Sequence, residues 1–162
     1  MKTLLLLRHA KSSWENDRLS DFERPLNDRG RRDAPLMGRM IKKHDLIPDR
    51  IISSSARRAA HTAELVALDA SYDSDIQYTE RLYLAEPETY LAIARKTEDS
   101  IDTLLLVGHN PGIEQAIELL TGIEDRMPTA ALACIRLPIN RWVELKAGKG
   151  YTLEALWRPK EL

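Results

Sequence analysis

Twice in this chain an unbroken apolar tetrad runs into a polar pair that ends in histidine: Leu4-Leu5-Leu6-Leu7 leads to Arg8-His9, and Leu104-Leu105-Leu106-Val107 leads to Gly108-His109. A strand covered on one face alternates apolar with polar residues, whereas a continuous apolar run reads as a strand covered on both. Such strands need helices above and below them, and the intervening segments have helical spacing. The first helix is expected from about Asn27 to His44, with Leu36, Met40 and Ile41 on one side and Pro35 inside it, either kinking the helix or marking a later start. A second is expected over Ala56 to Leu68, a third over Pro87 to Lys96, with Pro87 suited to a first turn, and a fourth after Pro111, containing Ile113, Ala116, Ile117 and Leu120. Arg50 to Ser53 is a shorter buried strand and Ile76 to Thr79 a weaker one. Strands alternating with helices predict an α/β domain with a largely parallel sheet. The tail reads differently: Cys134–Leu137, Trp142–Lys146 and Tyr151–Trp157 alternate over short spans between Pro138, Gly148 and Gly150, as antiparallel strands joined by hairpin turns near a sheet edge would. Trp142 and Trp157 are read as packing residues there.

A chain of 162 residues with no repeat, low-complexity tract or linker fits one domain spanning 1–162. The formal net charge of -1 gives no global attraction to nucleic acid or an anionic membrane. Arg29, Arg31 and Arg32, and Arg57 beside Arg58, concentrate positive charge locally, and a solvated helix face accounts for most of them. Cys134 is the single cysteine, so neither an intrachain disulfide nor a thiolate metal site can form, and its apolar surroundings suit a buried small side chain. Arg8 and His9 cut the first apolar run well short of a signal-peptide core or a membrane span, so a cytoplasmic protein is expected.

In a parallel α/β sheet, ligands bind outside the carboxyl ends of the strands, which puts His9 and His109 on the functional edge. The strand at Arg50 delivers Ser53-Ser54-Ser55 to the same edge, followed by Arg57 and Arg58 on the opening turn of a helix, whose amino terminus already favours an anion. A lone histidine after a strand is commonly just a hydrogen-bonded residue. Two of them joined by arginines at a third strand end, without a carboxylate cluster, suit phosphoryl transfer instead. Neutral imidazole attacks phosphorus well, and guanidinium forks neutralise phosphoryl oxygens. Histidines beside arginines repel a divalent ion, and no HxxxH or HxH spacing occurs.

The motifs carry a resemblance. Arg8-His9-Ala10 is similar to the Arg-His-Gly motif of the histidine phosphatase superfamily, which includes the phosphoglycerate mutases. Ser54-Ser55-Ala56-Arg57-Arg58-Ala59-Ala60-His61-Thr62-Ala63 resembles its second motif, whose register selects Arg58 over Arg57, and Gly108-His109-Asn110 resembles its third. The match runs from about residue 2 to 122. The short length and Arg24-Pro25-Leu26 with Arg29-Gly30 most resemble the SixA-type phosphohistidine phosphatases. The resemblance implies a phosphoglycerate mutase-like three-layer sandwich, with a mostly parallel sheet, helices on both faces and an antiparallel C-terminal portion. It implies His9 as the phosphorylated residue, with Arg8, Arg58 and His109 around the phosphate, Arg24 at the pocket rim and Asn110 on the substrate. No cofactor and no metal are implied.

Two departures bear on substrate. Ala10 replaces the motif glycine, which is tolerable if φ there stays negative. Only about two dozen residues separate Glu80 from Asp102, too few for a large lid with its helix. Glu80 and Glu86 are the nearest acids, and surface exposure is the plainer reading of both. An alkoxide leaving group needs a proton badly, whereas imidazole, with a pKa near ~6.5, leaves as a neutral base with less help. The expected partner is therefore a phosphorylated substrate, a phosphohistidine-bearing signalling protein above all, with neither nucleic acid nor membrane involved. A phosphatase of small phosphoesters or nucleotides, with Glu80 or Glu86 as acid, and a non-catalytic phosphate-binding module are the alternatives.

Overall fold

The structure, a computed structural model, describes residues 1–162. Four helices, α1 (Asp28–Lys43), α2 (Arg57–Ala70), α3 (Pro87–Arg95) and α4 (Gly112–Thr121), cover a six-stranded sheet of β1 (Lys2–Arg8), β2 (Arg50–Ser54), β3 (Gln77–Thr79), β4 (Thr103–Gly108), β5 (Leu132–Leu137) and β6 (Thr152–Trp157). The order across the sheet is β3-β2-β4-β1-β5-β6. The first four strands in that order are parallel, β5 runs antiparallel to β1, and β6 runs antiparallel to β5. This is the expected three-layer arrangement with an antiparallel C-terminal portion.

The two apolar tetrads owe their unbroken character to the layers. Successive side chains of a strand point to opposite faces. Leu4, Leu6, Leu104 and Leu106 therefore enter one core, against Tyr90 and Leu91 of α3 and Ile113 and Ile117 of α4. Leu5, Leu7, Leu105 and Val107 enter the other, against Met37 and Ile41 of α1 and Ala63 and Val66 of α2. All eight strand residues are fully buried. Burying a side chain of this size stabilises by about 1.5–3 kcal/mol relative to leaving it exposed, so a polar substitution in either tetrad works against a whole layer.

Helix α1 runs through Pro35 from a start at Asp28, where the Asn27 side chain caps it by accepting from the Gly30 amide at 2.9 Å. Its buried face is Ala34, Met37, Gly38 and Ile41, with Leu36 and Met40 only half-buried. One expected strand is absent. Residues Trp142–Glu144 form a 3₁₀ turn instead, because burial there follows a spacing of three: Trp142 and Leu145 are buried while Val143 and Glu144 face out. The turn is closed by the Arg141 amide donating to Glu144 Oε1 at 2.8 Å and held by the Trp142 indole N–H donating to the Ile101 carbonyl at 2.7 Å. Accordingly β5 and β6 pair across a longer connection than a tight hairpin. Trp142 and Trp157 both pack, the first in the core and the second against the His44 ring.

Candidate active site

The sheet register brings the two histidines together. Strands β1 and β4 are neighbours and pair Leu4 with Leu104 through Arg8 with Gly108, so the next residue on each strand is a histidine at the same height. The His9 amide donates to the Gly108 carbonyl at 3.0 Å, and the two imidazole centroids lie 5.0 Å apart. Both side chains are buried at the carboxyl edge of the parallel strands. Adjacent β2 ends at Ser54, whose hydroxyl lies 2.8 Å from His109 Nε2 and also accepts from the Ala56 amide at the entrance to α2. Ala10 is not among the non-glycine residues with positive φ, which are Asp45, Ser71 and Ala130, so it fits where the motif has glycine.

The protonation state of His9 follows from its contacts. Its Nδ1 lies 2.7 Å from the Ala10 carbonyl, which can only accept, so Nδ1 carries the hydrogen and Nε2 keeps its lone pair. Burial lowers the His9 pKa to about 3; the Ala10 bond opposes the shift, and the positive charges of His109, Arg58 and Arg8 add to it. His109 is lowered to about 4, first by burial and then by Arg58, with Asp21 opposing. At neutral pH both rings are uncharged. Cys134, whose thiol burial pushes up to about 11, takes no part.

Arg8 leaves the end of β1 and donates to the Met127 carbonyl at 3.1 Å. Asn110 donates to the same carbonyl at 2.8 Å and to Glu114 Oε1 at 3.1 Å, so one loop fixes both side chains. Arg58 and Arg57 on α2 diverge: Arg58 is buried, while Arg57 is exposed and reaches only the Glu23 carbonyl. The Thr62 hydroxyl, one turn on, donates to the Arg58 carbonyl at 2.7 Å and accepts from the Ala10 amide at 2.9 Å, tying the first turn of α2 to the loop that carries His9.

Arg24 stands apart from the other expected site residues. It is buried with its guanidinium committed to the Ser13 carbonyl, the Ser12 hydroxyl and Asp21, and its Cζ lies 3.2 Å from the centre of the exposed Trp14 ring. Glu80 is exposed on the turn after β3. Glu86 is also exposed, but it lines a cavity of about 210 Å³ together with His109 and Asn110. No three His, Cys, Asp or Glu side chains gather anywhere in metal-holding geometry.

Sequence reasoning missed the side chains behind this pocket. Asp21 accepts from Arg58 and Arg24 and from the Tyr83 hydroxyl. Tyr83 stands edge-on to His109 at 5.6 Å. The Tyr90 hydroxyl accepts from the His109 amide at 3.1 Å. None of these follows a buried strand or repeats a motif, so only the tertiary fold could single them out.

Residues 4–86, which hold His9 and Arg58 but end before His109, match the model of the histidine phosphatase superfamily (branch 1). The chain belongs to that superfamily. The relatives agree over nearly the full length. A structure assigned as the phosphohistidine phosphatase SixA from Agrobacterium tumefaciens is 30% identical, covers 98% of each chain and superposes with a TM-score of 0.83. One assigned as SixA from Nakamurella multipartitia is 26% identical, covers 98% of this chain and 96% of that one, and has a TM-score of 0.83. An uncharacterized protein of Mycobacterium tuberculosis is 31% identical over 88% of this chain and 93% of its own. This histidine phosphatase is thus of the SixA type in fold and sequence. No helix is long and apolar enough to cross a membrane.

Proposed function

We propose that this histidine phosphatase carries the phosphoryl group on His9, needs no metal, and takes as substrate a phosphohistidine side chain of another protein. The observation that carries the reading is the state of His9, a neutral ring whose Nδ1–H is held by the Ala10 carbonyl and whose Nε2 is free among groups that neutralise phosphoryl oxygens. Nε2 attacks phosphorus, the N–P bond forms, and the bond to the leaving group breaks with its electron pair. Arg8 and Arg58 hold the phosphoryl oxygens as charge spreads over them, and His109, engaged by Ser54 at Nε2, offers Nδ1 to one of them. The His9 ring becomes cationic as the bond forms, and its Nδ1–H bond to Ala10 strengthens. Water then attacks phosphorus, the N–P bond returns its pair to Nε2, and dihydrogen phosphate departs carrying both of the water's protons.

A phosphohistidine whose second ring nitrogen is protonated leaves as neutral imidazole and requires no carboxylic acid. Asp21 cannot supply one: the Tyr83 hydroxyl and the two arginines hold its carboxyl well below the usual carboxylate range. Trp14 and Leu84, 72% and 80% exposed on the loops that carry Arg24 and Tyr83, suit a protein surface better than a small solute. The names of the SixA relatives support the same class. Glu86, in the cavity beside His109, favours a second reading, cleavage of small phosphoesters with Glu86 as proton donor.

The test compares kcat/KM for a histidine-phosphorylated protein, a sugar phosphate and a nucleotide, before and after dialysis against chelator. Preference for the phosphoprotein by at least an order of magnitude, undiminished by chelation, is expected, with His9→Ala folded but inactive. Loss on chelation with recovery on one metal would overturn the metal-free mechanism. Preference for an ester, lost in Glu86→Gln, would establish the second reading.

A further inference from the structure

Asp21 sits in the 3₁₀ turn Asp21–Glu23, between the loop after β1 and the start of α1. It is the hinge of a charged chain. Its Oδ1 accepts from Arg24 Nη1 at 2.9 Å; its Oδ2 accepts from Arg58 Nη2 at 3.0 Å and from the Tyr83 hydroxyl at 2.5 Å; its backbone carbonyl accepts from Arg58 Nη1 at 2.7 Å. Both arginine side chains are only 8% exposed. Two N–H groups of Arg58 are therefore pinned, and three of its five donors are left for a ligand. Tyr83, pinned by the same oxygen, carries its ring edge to His109.

We propose that Asp21, anchored by Arg24, is a positioning residue that fixes the Arg58 guanidinium toward the phosphoryl site and holds Tyr83 against His109. The proposal rests on Arg58 as a phosphoryl ligand. Its logic is preorganisation. A free arginine side chain loses rotamer freedom when it is immobilised, and a guanidinium already fixed in the resting enzyme does not lose it again when the transition state forms. On this account Arg24 belongs to the site without touching substrate.

Charge alone predicts the opposite sign, which makes the idea testable. Removing a carboxylate beside an anion site should tighten anion binding if Asp21 is a mere neighbour. Asp21→Asn keeps the shape and one acceptor but removes the charge and sets an amide donor against an arginine. The expected result is at least a tenfold fall in kcat with a smaller change in KM, and vanadate inhibition weakened at least tenfold. Nuclear magnetic resonance should find rotation about Arg58 Cζ–Nη hindered in the wild-type protein and free in Asp21→Asn. Tyr83→Phe, at a half-buried position where folding is not at risk, should show smaller losses of the same sign. Vanadate binding as tightly or more tightly to Asp21→Asn, or an Arg58 side chain equally hindered in it, would overturn the proposal. Should Asp21→Asn fail to fold, the sign of the vanadate change in Tyr83→Phe decides. Arg58→Ala separates the two claims: if it retains activity, the phosphoryl-ligand reading fails, whereas if it is inactive while Asp21→Asn is normal, only the positioning role falls.

Discussion

A one-residue shift in a sequence motif has a definite geometrical meaning. Arg57 and Arg58 are both plausible phosphate ligands by composition, but adjacent helical residues point about 100° apart. The structure buries Arg58 behind the pocket and leaves Arg57 at the surface. Arg58→Ala is accordingly expected to lower kcat/KM by at least a hundredfold and Arg57→Ala by less than fivefold, in steady-state assays of the two variants side by side. Equal losses would mean that the register is wrong. The placement of His9, Arg8, Arg58 and His109 at one edge of the sheet was legible because each ends a buried strand or opens the helix after one. Asp21, Tyr83 and Tyr90 were not, since a residue that acts through another leaves its signal in contacts and not in chain order. Arg24 was expected at the pocket rim from its motif, but its partners, Ser12, Ser13 and Asp21, appear only once the loop is folded.

At the scale of elements, the parallel half of the sheet was readable to within a residue or two, since doubly covered strands and amphipathic helices each have their own period. The tail was harder. Trp142 to Lys146 alternates on paper, yet the pull of the Trp142 ring into the core and the Arg141–Glu144 bond turn it into 3₁₀ backbone. Tight packing also constrains the end of β4. A Cβ on Gly108 would lie 2.2 Å from the Tyr90 hydroxyl oxygen, the atom that receives the His109 amide. Overpacking of this kind costs typically 1–3 kcal/mol. Gly108→Ala is therefore expected to lower stability by about that amount in urea unfolding and to reduce activity by displacing His109. The variant Gly108→Ala/Tyr90→Phe, which removes the nearest clashing atom but leaves the ring carbons at 3.0 Å, should recover part of the stability without recovering all the activity. A Gly108→Ala protein as stable as the wild type would show that β4 can shift away from α3 at no cost.

For the molecule as a whole, the pocket carries a cost in acid. Folding holds His9 at a pKa of about 3 and His109 at about 4, against about 6.5 in an unfolded chain. Because the folded values are the lower ones, the unfolded state binds more protons between those limits, and stability must fall as pH is lowered from about 6.5 toward 4. Each proton of difference contributes about 1.4 kcal/mol per pH unit, so two histidines give a slope on the order of 2–3 kcal/mol per unit near pH 5. Asp21 does not enter in this window: its depressed carboxyl matters only below the ordinary carboxylate range, where its stabilisation is lost in turn. Urea unfolding in phosphate-free buffer at pH 7, 6 and 5 should show this decline, and His9→Ala/His109→Ala should flatten it. Inorganic phosphate should stabilise the wild-type protein and not the double variant, since an anion in the pocket is bound by the folded state alone. Parallel slopes for the two proteins would mean that the folded histidines titrate normally, and the neutral nucleophile of the proposed mechanism would have to be abandoned. The same burial that keeps His9 neutral at pH 7, as the proposed attack on phosphorus requires, is what makes the fold give way in acid.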